Sequence, residues 1–340
     1  MPSFKSNSHR RSIIPCLLMA GLFAMVGCSE GSGDSDTETE GEANGVSKFK
    51  IVTTTGMVTD IVEVVAGGRG EVTGLVGEGV DPHLFTAGTD DVKKLLSADI
   101  VFFSGLLLEG KITGDLEKVR ERGKPVIEVT TAIDKSYLRS PPEFEGHPDP
   151  HVWMDVSAWS QCVAVVTKAM SDLDPENKAE YEKNAAGYVK KLAKLDAYVK
   201  ERVATIPERK RYLITAHDAF GYFAKAYGIK VKAIQGISTD SEAGIADINS
   251  LIDFIVENKV PSIFVESSVS DKNIKAVIEG CEAKGLNLEI GGQLFSDAMG
   301  PPQTYEGTYI GMMDHNATTV ARALGGEAPE KGWLGKLAVQ

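Results

Sequence analysis

Short apolar runs alternate with amphipathic segments through most of the chain. Runs rich in β-branched and aromatic residues predict strands, whereas apolar residues at every third or fourth position predict helices. In the first half, the pattern predicts strands at 48–54, 71–76, 100–103 and 125–129 and helices at 58–66, 89–97, 116–122 and 158–172. This alternation predicts a mainly parallel sheet with helices on both faces.

The longest helical pattern occupies the middle of the chain. Asp174 can cap a helix, Pro175 suits its first turn, and apolar residues recur at spacings of three and four until Pro207. About 31 helical residues would extend roughly 46 Å, which is long enough to cross a whole domain. We therefore expect residues 174–207 to form a rigid helix that joins two lobes.

The second half repeats the alternation of strands and helices. The pattern predicts strands at 211–215, 231–234, 262–265 and 286–290 and helices at 218–227, 245–257, 273–283 and 305–324. The sequence thus predicts an α/β fold with two lobes, at 48–173 and 208–340. Each lobe is expected to be a mainly parallel sheet with helices on both faces, and one long rigid helix joins them.

The N-terminus has the pattern of an export signal. Basic residues precede an apolar stretch at 13–27 that is too short to span a bilayer comfortably. Met25-Val26-Gly27-Cys28 resembles a bacterial lipobox, in which the signal 1–27 is removed and the Cys28 sulfur is lipidated. Ordinary secretion and an uncleaved anchor are the alternatives.

A polar segment follows the proposed lipid site. Residues 28–47 are rich in Ser, Gly, Thr, Asp and Glu and contain few aliphatic residues. Such a segment cannot bury enough apolar area to offset its ordering entropy, so we expect a disordered acidic tether. The N-terminal pattern therefore predicts an extracytoplasmic protein, in a periplasm or on the outer face of a cell membrane, held by a lipid anchor.

Charge and cysteine content narrow the class of protein. The 340-residue chain has a formal net charge of −12, and loss of residues 1–27 removes three cations and no acids, which leaves −15. An acidic chain disfavours nucleic acid as a partner and suits a cation. Outside the signal and Cys28, the cysteines are Cys162 and Cys281. They lack a Cys-x-x-Cys spacing, so they are either two buried thiols or one disulfide.

Candidate metal ligands follow the predicted strands. The tripeptide Asp-Pro-His occurs twice and ends at His83 and at His151, while His217 and Asp297 follow strands of the second half. Binding sites of parallel α/β sheets lie beyond the carboxyl ends of the strands, where these side chains would converge. Three neutral imidazoles and one carboxylate form a complete ligand set for a divalent cation such as Zn²⁺ or Mn²⁺.

Other polar residues have predicted supporting roles. His147 lies in a proline-containing loop and is expected beside the ligands or at the rim of the site, with direct ligation of the ion as the alternative. Asp149, Asp155 and Glu266 can orient ligand histidines, because a metal-binding imidazole usually donates its other N–H to a carboxylate or carbonyl. His315 lies in the middle of a predicted helix among polar neighbours, so we expect it to be solvated.

The candidate ligands lie in motifs that resemble one family along most of the chain. The chain is similar to the bacterial metal-binding lipoproteins that deliver zinc or manganese to ABC importers. The matching segments are Gly79-Val80-Asp81-Pro82-His83, Asp149-Pro150-His151-Val152-Trp153-Met154-Asp155, Thr215-Ala216-His217-Asp218-Ala219-Phe220-Gly221-Tyr222, Phe264-Val265-Glu266-Ser267 and Phe295-Ser296-Asp297. The resemblance implies an ion between the lobes, bound by His83, His151, His217 and Asp297, and an ABC permease with its ATPase that receives it.

The residues leave the choice of metal open. Zinc-specialised members often carry a long His-rich loop, which this chain lacks, whereas manganese-preferring members often have Glu in the position of His217. The prediction is a monomeric solute-binding lipoprotein, not an enzyme, that passes Zn²⁺ or Mn²⁺ to a permease. A zinc hydrolase, which needs an open coordination position, and an adhesin of the same fold are the alternatives.

Overall fold

Residues 48–144 and 146–338 are described by a computed structural model. The predicted signal 1–27, Cys28 and the tether 28–47 lie outside the described residues. Within the described ranges, none of the helices combines the length and the apolar character that crossing a membrane requires.

Four parallel strands form the first sheet. Strands β1 (Phe49–Thr53), β2 (Gly70–Gly74), β3 (Ile100–Phe103) and β4 (Val126–Glu128) are ordered β2-β1-β3-β4. The connections carry helices α1 (Gly56–Ala66), α2 (Thr89–Ser97) and α3 (Thr113–Glu121). Ile51 packs in the cluster that contains α1, whereas the next residue, Val52, packs with residues of α2 and α3. Both faces of the sheet are therefore buried, as is usual for parallel strands.

A helix of 27 residues lies between the two halves of the chain. It is α5 (Lys178–Ala204), and α4 (Val156–Leu173) precedes it. The helix was predicted to begin at residue 174 but begins at Lys178. The Asp174 carboxylate instead accepts hydrogen bonds from the side chains of Asn177 and Tyr181, and Pro175–Asn177 forms a separate 3-10 turn. Helix α5 contacts α1 and α4 and also the C-terminal helix, so it packs on both lobes.

The second lobe contains four further strands in two parallel pairs. Strand β5 (Tyr212–His217) pairs with β6 (Lys230–Gln235), and β7 (Ser262–Glu266) pairs with β8 (Glu289–Leu294). Strand β5 also contacts β7. The accompanying helices are α6 (Gly221–Tyr227), α7 (Ile245–Asn258), α8 (Lys272–Ala283) and α9 (Tyr309–Ala323). The predicted α/β architecture of two lobes and a long helix is confirmed.

Strand β8 begins later than the apolar pattern predicts. Leu286 and Leu288 precede the strand and pack in the core of the second lobe. Within β8, Gly291 lies so close to β7 that a Cβ atom there would be 2.7 Å from the Phe264 ring. The two strands can therefore approach this closely only because position 291 has no side chain. A glycine adds nothing to the apolar pattern from which strands are predicted, so this part of β8 was missed.

His315 is buried, so the prediction that it is solvated was wrong. Its side chain lies on α9, its Nε2 is 2.9 Å from the Gln293 carbonyl oxygen, and its ring packs on Phe295. The neighbouring polar residues Asp314 and Asn316 are buried as well. Polar side chains on a helix indicate exposure only when their hydrogen bonds go to water, and here they go to protein groups.

Cys162 and Cys281 are both buried free thiols. Cys162 lies in the core cluster that includes α4, and Cys281 lies in the cluster beneath α7 and α8. Because the two sulfur atoms lie in different clusters, the alternative of one disulfide is wrong.

Candidate metal centre

The four predicted ligands lie on loops and strand ends, at the carboxyl ends of the parallel strands of the two lobes. His217 is the last residue of β5, and Asp297 follows the end of β8. His83 lies in the loop between β2 and α2, and His151 immediately precedes the 3-10 turn Val152–Met154. Parallel strands present their carboxyl ends at the same edge, which brings these distant positions together.

The four side chains lie close together in space. One ligating atom from each of His83, His151, His217 and Asp297 lies within 4.8 Å of all the others. Asp297 Oδ2 is 3.0 Å from His217 Nε2 and 3.6 Å from His83 Nε2, and Asp297 Oδ1 is 3.3 Å from His151 Nε2. The most exposed of the four, His83, is 5% exposed. The cluster is therefore closed off from bulk water.

Three atoms of this cluster lack hydrogen-bond partners within the described part of the chain. They are His217 Nε2 and both carboxylate oxygens of Asp297. A buried polar atom without a partner costs about 1–3 kcal/mol, so such atoms rarely occur together without a reason. Imidazole nitrogens and carboxylate oxygens that face each other at 3.0–3.6 Å bring their lone pairs together unless a cation, either a proton or a metal ion, lies between them. The donor set fits Zn²⁺ and Mn²⁺.

The electrostatics of the cluster differ among the histidines. Burial lowers the pKa of His83 to about 4. Burial would also lower the pKa of His151, but the carboxylates of Asp297 and Asp149 outweigh it and raise the pKa to about 9. The pKa of His217 is likewise raised, because Glu266 and Asp297 outweigh burial. Without a metal ion, the rings of His151 and His217 therefore carry a proton on both nitrogens at neutral pH. An arriving metal ion must displace one proton from each ring.

Asp149 orients His151. Its Oδ1 is 2.8 Å from His151 Nδ1 and accepts a second hydrogen bond from the His151 backbone N–H at 3.0 Å. The other carboxylate oxygen accepts a hydrogen bond from the Arg139 guanidinium. The guanidinium lies so close to Gly221 that a Cβ atom there would collide with it. Arg139 is a supporting residue that the sequence does not reveal, because a single cation in a loop carries no motif.

Glu266 orients His217 in the same way. Glu266 Oε2 is 2.5 Å from His217 Nδ1, and Glu266 Oε1 accepts a hydrogen bond from the His217 backbone N–H at 2.9 Å. Glu266 ends strand β7, beside β5. The position of each residue at a strand end therefore aligns the carboxylate with the imidazole, and Nε2 is left to bind the ion.

Asp155 and His147 lie outside this arrangement. The Asp155 carboxylate caps helix α4 by accepting hydrogen bonds from the backbone N–H groups of Ser157 and Ala158, so its predicted role in orienting His151 was wrong. Asp155 also accepts a hydrogen bond from the Tyr137 hydroxyl. His147 is exposed and packs edge-on against Phe144.

The sequence matches the family described as ZnuA, "Zinc-uptake complex component A periplasmic", over residues 51–323. The chain belongs to the ZnuA family. "Manganese-binding lipoprotein MntA" of Bacillus subtilis is 42% identical to this ZnuA-family chain over 316 residues, 93% of this chain and 99% of the relative. "Zinc-binding protein TroA" of Treponema pallidum is 42% identical over 315 residues, again 93% and 99%. The solved structure of the latter superimposes with a TM-score of 0.79 and 44% identity, over 82% of this chain and 99% of that chain.

The hydrogen bonds between Glu266 and His217 lead to a testable prediction for this ZnuA-family chain. Glu266→Gln is expected to lower metal affinity by about 10–100-fold, because the amide replaces one of the two oxygens that accept the N–H groups of His217 by an NH₂ donor. Isothermal titration calorimetry with Zn²⁺ measures the change. Asp155→Asn is the matched control, since it alters a buried carboxylate near His151 that caps a helix. Equal losses of affinity in the two variants would contradict the role of Glu266.

Proposed function

We propose that this protein is an extracytoplasmic solute-binding lipoprotein that captures Zn²⁺ or Mn²⁺ and delivers it to an ABC import permease. The convergence of four buried ligating atoms within 4.8 Å carries the proposal. Membership of the ZnuA family and the similarity to manganese-binding and zinc-binding relatives support it. The ion is the cargo of the protein rather than a resident cofactor.

The geometry of the site favours capture over catalysis. A catalytic zinc site keeps one coordination position open for water or substrate. Here three histidines and Asp297 supply four ligands, the number that fills a tetrahedral zinc site, and all four are buried. A site of this kind binds an ion and releases it when ligands move, which suits transport.

The anchor and the partners form the finer part of the proposal. We infer that Cys28 carries the lipid and that residues 28–47 tether a monomeric folded part near the membrane. The acidic character of the whole chain, with a net charge of −12, favours cations near its surface. The permease and its ATPase complete the import system.

Metal binding is expected to stabilise the folded protein. At a free metal concentration of 1,000 times Kd, an ion that binds only the folded state adds about 4 kcal/mol to the free energy of unfolding. A domain of this size should then melt roughly 10 °C higher. Differential scanning calorimetry of the chelator-treated protein with and without Zn²⁺ or Mn²⁺ measures the shift. An unchanged melting temperature at saturating metal would contradict the proposal.

Elemental analysis tests which ion is carried. The two relatives named for different metals are equally similar to this chain, at 42% identity each, so similarity does not favour either metal. The protein should be purified from cells grown with balanced trace metals and then titrated with Zn²⁺ against Mn²⁺. One equivalent of a transition metal supports the proposal, and its absence from protein that also fails to bind in titration contradicts it.

A further inference from the structure

His83 is held differently from the other two ligand histidines. His151 and His217 each direct Nδ1 at a carboxylate, Asp149 and Glu266 respectively. In residues 48–144 and 146–338, no carboxylate accepts a hydrogen bond from Nδ1 of His83. Such a carboxylate fixes the ring orientation of a metal ligand. His83 is therefore the least constrained of the three imidazoles.

The segment that carries His151 is fixed to the second lobe by buried contacts. The Trp153 Nε1–H donates to the Ser296 carbonyl at 2.9 Å, and the Tyr309 hydroxyl donates to the Trp153 carbonyl at 2.7 Å. The Tyr222 hydroxyl donates to the Asp149 carbonyl at 3.0 Å. Buried hydrogen bonds of this kind are costly to break. His151 therefore forms one rigid unit with the two ligands of the second lobe, His217 and Asp297.

The loop that carries His83 meets the second lobe through polar contacts nearer the surface. Asp81 Oδ1 accepts a hydrogen bond from the His83 backbone N–H at 2.8 Å, and Asp81 Oδ2 accepts one from the Thr239 hydroxyl at 2.5 Å. Next to Thr239, Asp240 forms a 2.7 Å ion pair with Lys111 of the first lobe. Thr239 and Asp240 lie in the loop between β6 and α7. The Asp81 carboxylate thus links the backbone of His83, in the first lobe, to Thr239 in the second lobe.

We propose that the hydrogen bond between Asp81 and Thr239 is a latch that sets the rate at which the metal leaves. When it breaks, the loop with His83 separates from the second lobe, and His83 is the first ligand to dissociate. His151, His217 and Asp297 stay together as a partial site that has lost one ligand. The inference rests on the proposed function, because it concerns how the captured ion is released.

Stopped-flow dissociation of Zn²⁺ into excess chromophoric chelator tests the latch. Thr239→Val removes the hydroxyl and keeps the side-chain shape, so the dissociation rate constant is expected to rise about tenfold, the low end of the effect of removing a residue that supports a ligand. Thr239→Ser restores the hydroxyl and should match the wild type. Thr131→Val is the matched control, because it removes a hydroxyl that hydrogen-bonds the Glu128 carbonyl at 3.0 Å within the first lobe.

Asp81→Ala provides a second route, because it removes the acceptor of both the Thr239 hydroxyl and the His83 N–H. Its dissociation rate constant should exceed that of Thr239→Val. The order of ligand loss is tested by titration. His83→Ala should retain about tenfold higher Zn²⁺ affinity than His217→Ala, because it leaves His151, His217 and Asp297 as one rigid set of ligands, whereas His217→Ala breaks that set. Equal losses would overturn the claim that His83 leaves first.

The outcomes separate the latch from the proposed function. If the wild-type protein binds no Zn²⁺, that result would contradict the proposed function itself. A wild type that binds, with Thr239→Val dissociating within twofold of it, would overturn the latch alone. Thr239→Ser as fast as Thr239→Val would also overturn it, because the hydroxyl would then be irrelevant. A tenfold faster rate in Thr239→Val, with serine rescue and an unchanged melting temperature of the metal-free protein, would support it.

Discussion

Replacing Asp297 by alanine is expected to lower metal affinity by at least about 1,000-fold, or ~4 kcal/mol. Asp297 is the one anionic ligand of the candidate site, and its two oxygens face all three imidazoles at 3.0–3.6 Å. Removing it leaves three nitrogen ligands and no carboxylate that contacts the ion directly, because the buried carboxylates of Asp149 and Glu266 lie behind the imidazole rings. Isothermal titration calorimetry with Zn²⁺ and with Mn²⁺, using competing chelators for the wild type, measures the loss.

The control for this substitution is His147→Ala. His147 is exposed and lies outside the cluster, so its removal should leave affinity within about twofold of the wild type. Thermal unfolding of the metal-free variants shows whether each still folds. Wild-type affinity in a folded Asp297→Ala variant would contradict the assignment of the site.

Metal affinity is expected to rise steeply with pH up to about pH 9. The carboxylates around His151 raise its pKa to about 9, and the pKa of His217 is also raised, so both rings are protonated at pH 7 without metal. A proton and a metal ion compete for the same nitrogen, so binding must release a proton from His151, with a further contribution from His217, and affinity should fall by at least about tenfold per pH unit below pH 8. His83, with a pKa of about 4, is already neutral and does not contribute.

Calorimetry in buffers with different ionisation enthalpies counts the released protons directly. The metal-free protein should show the opposite trend in stability, because a histidine pKa raised above the ordinary 6.5 stabilises the protonated folded state. That stabilisation is complete below about pH 6.5 and is lost as pH rises through about 9. Metal affinity that is constant above pH 7, with no proton release, would contradict the protonation states assigned to His151 and His217.

The four residues of the candidate site could be proposed from the sequence because each has a local signature. His217 and Asp297 follow apolar strands, and His83 and His151 end the repeated Asp-Pro-His tripeptide. The geometry of parallel sheets then brings strand ends to one edge, whatever the separation in sequence. The two-lobed α/β fold was predictable for the same reason, since the periodicity of apolar residues changes from strand to helix along the chain.

The supporting residues were less predictable because their roles depend on contacts between distant segments. Arg139 acts on Asp149 from a loop without a motif, and Gly221 makes room for it. Asp155 lies as close to His151 in sequence as a supporting carboxylate should, yet it caps α4. His315 has polar neighbours, but they are buried with it. Spacing along the chain does not distinguish a carboxylate that reaches an imidazole from one that reaches a helix end.

X-ray absorption spectroscopy at the zinc edge of the fully loaded protein tests the candidate site most directly. Three imidazole nitrogens at about 2.0–2.1 Å and carboxylate oxygen at about 2.0–2.2 Å are expected, with no sulfur in the coordination shell. The multiple scattering of imidazole rings allows the histidines to be counted. A shell with fewer than two imidazoles, or one that contains sulfur, would contradict a site built from His83, His151, His217 and Asp297.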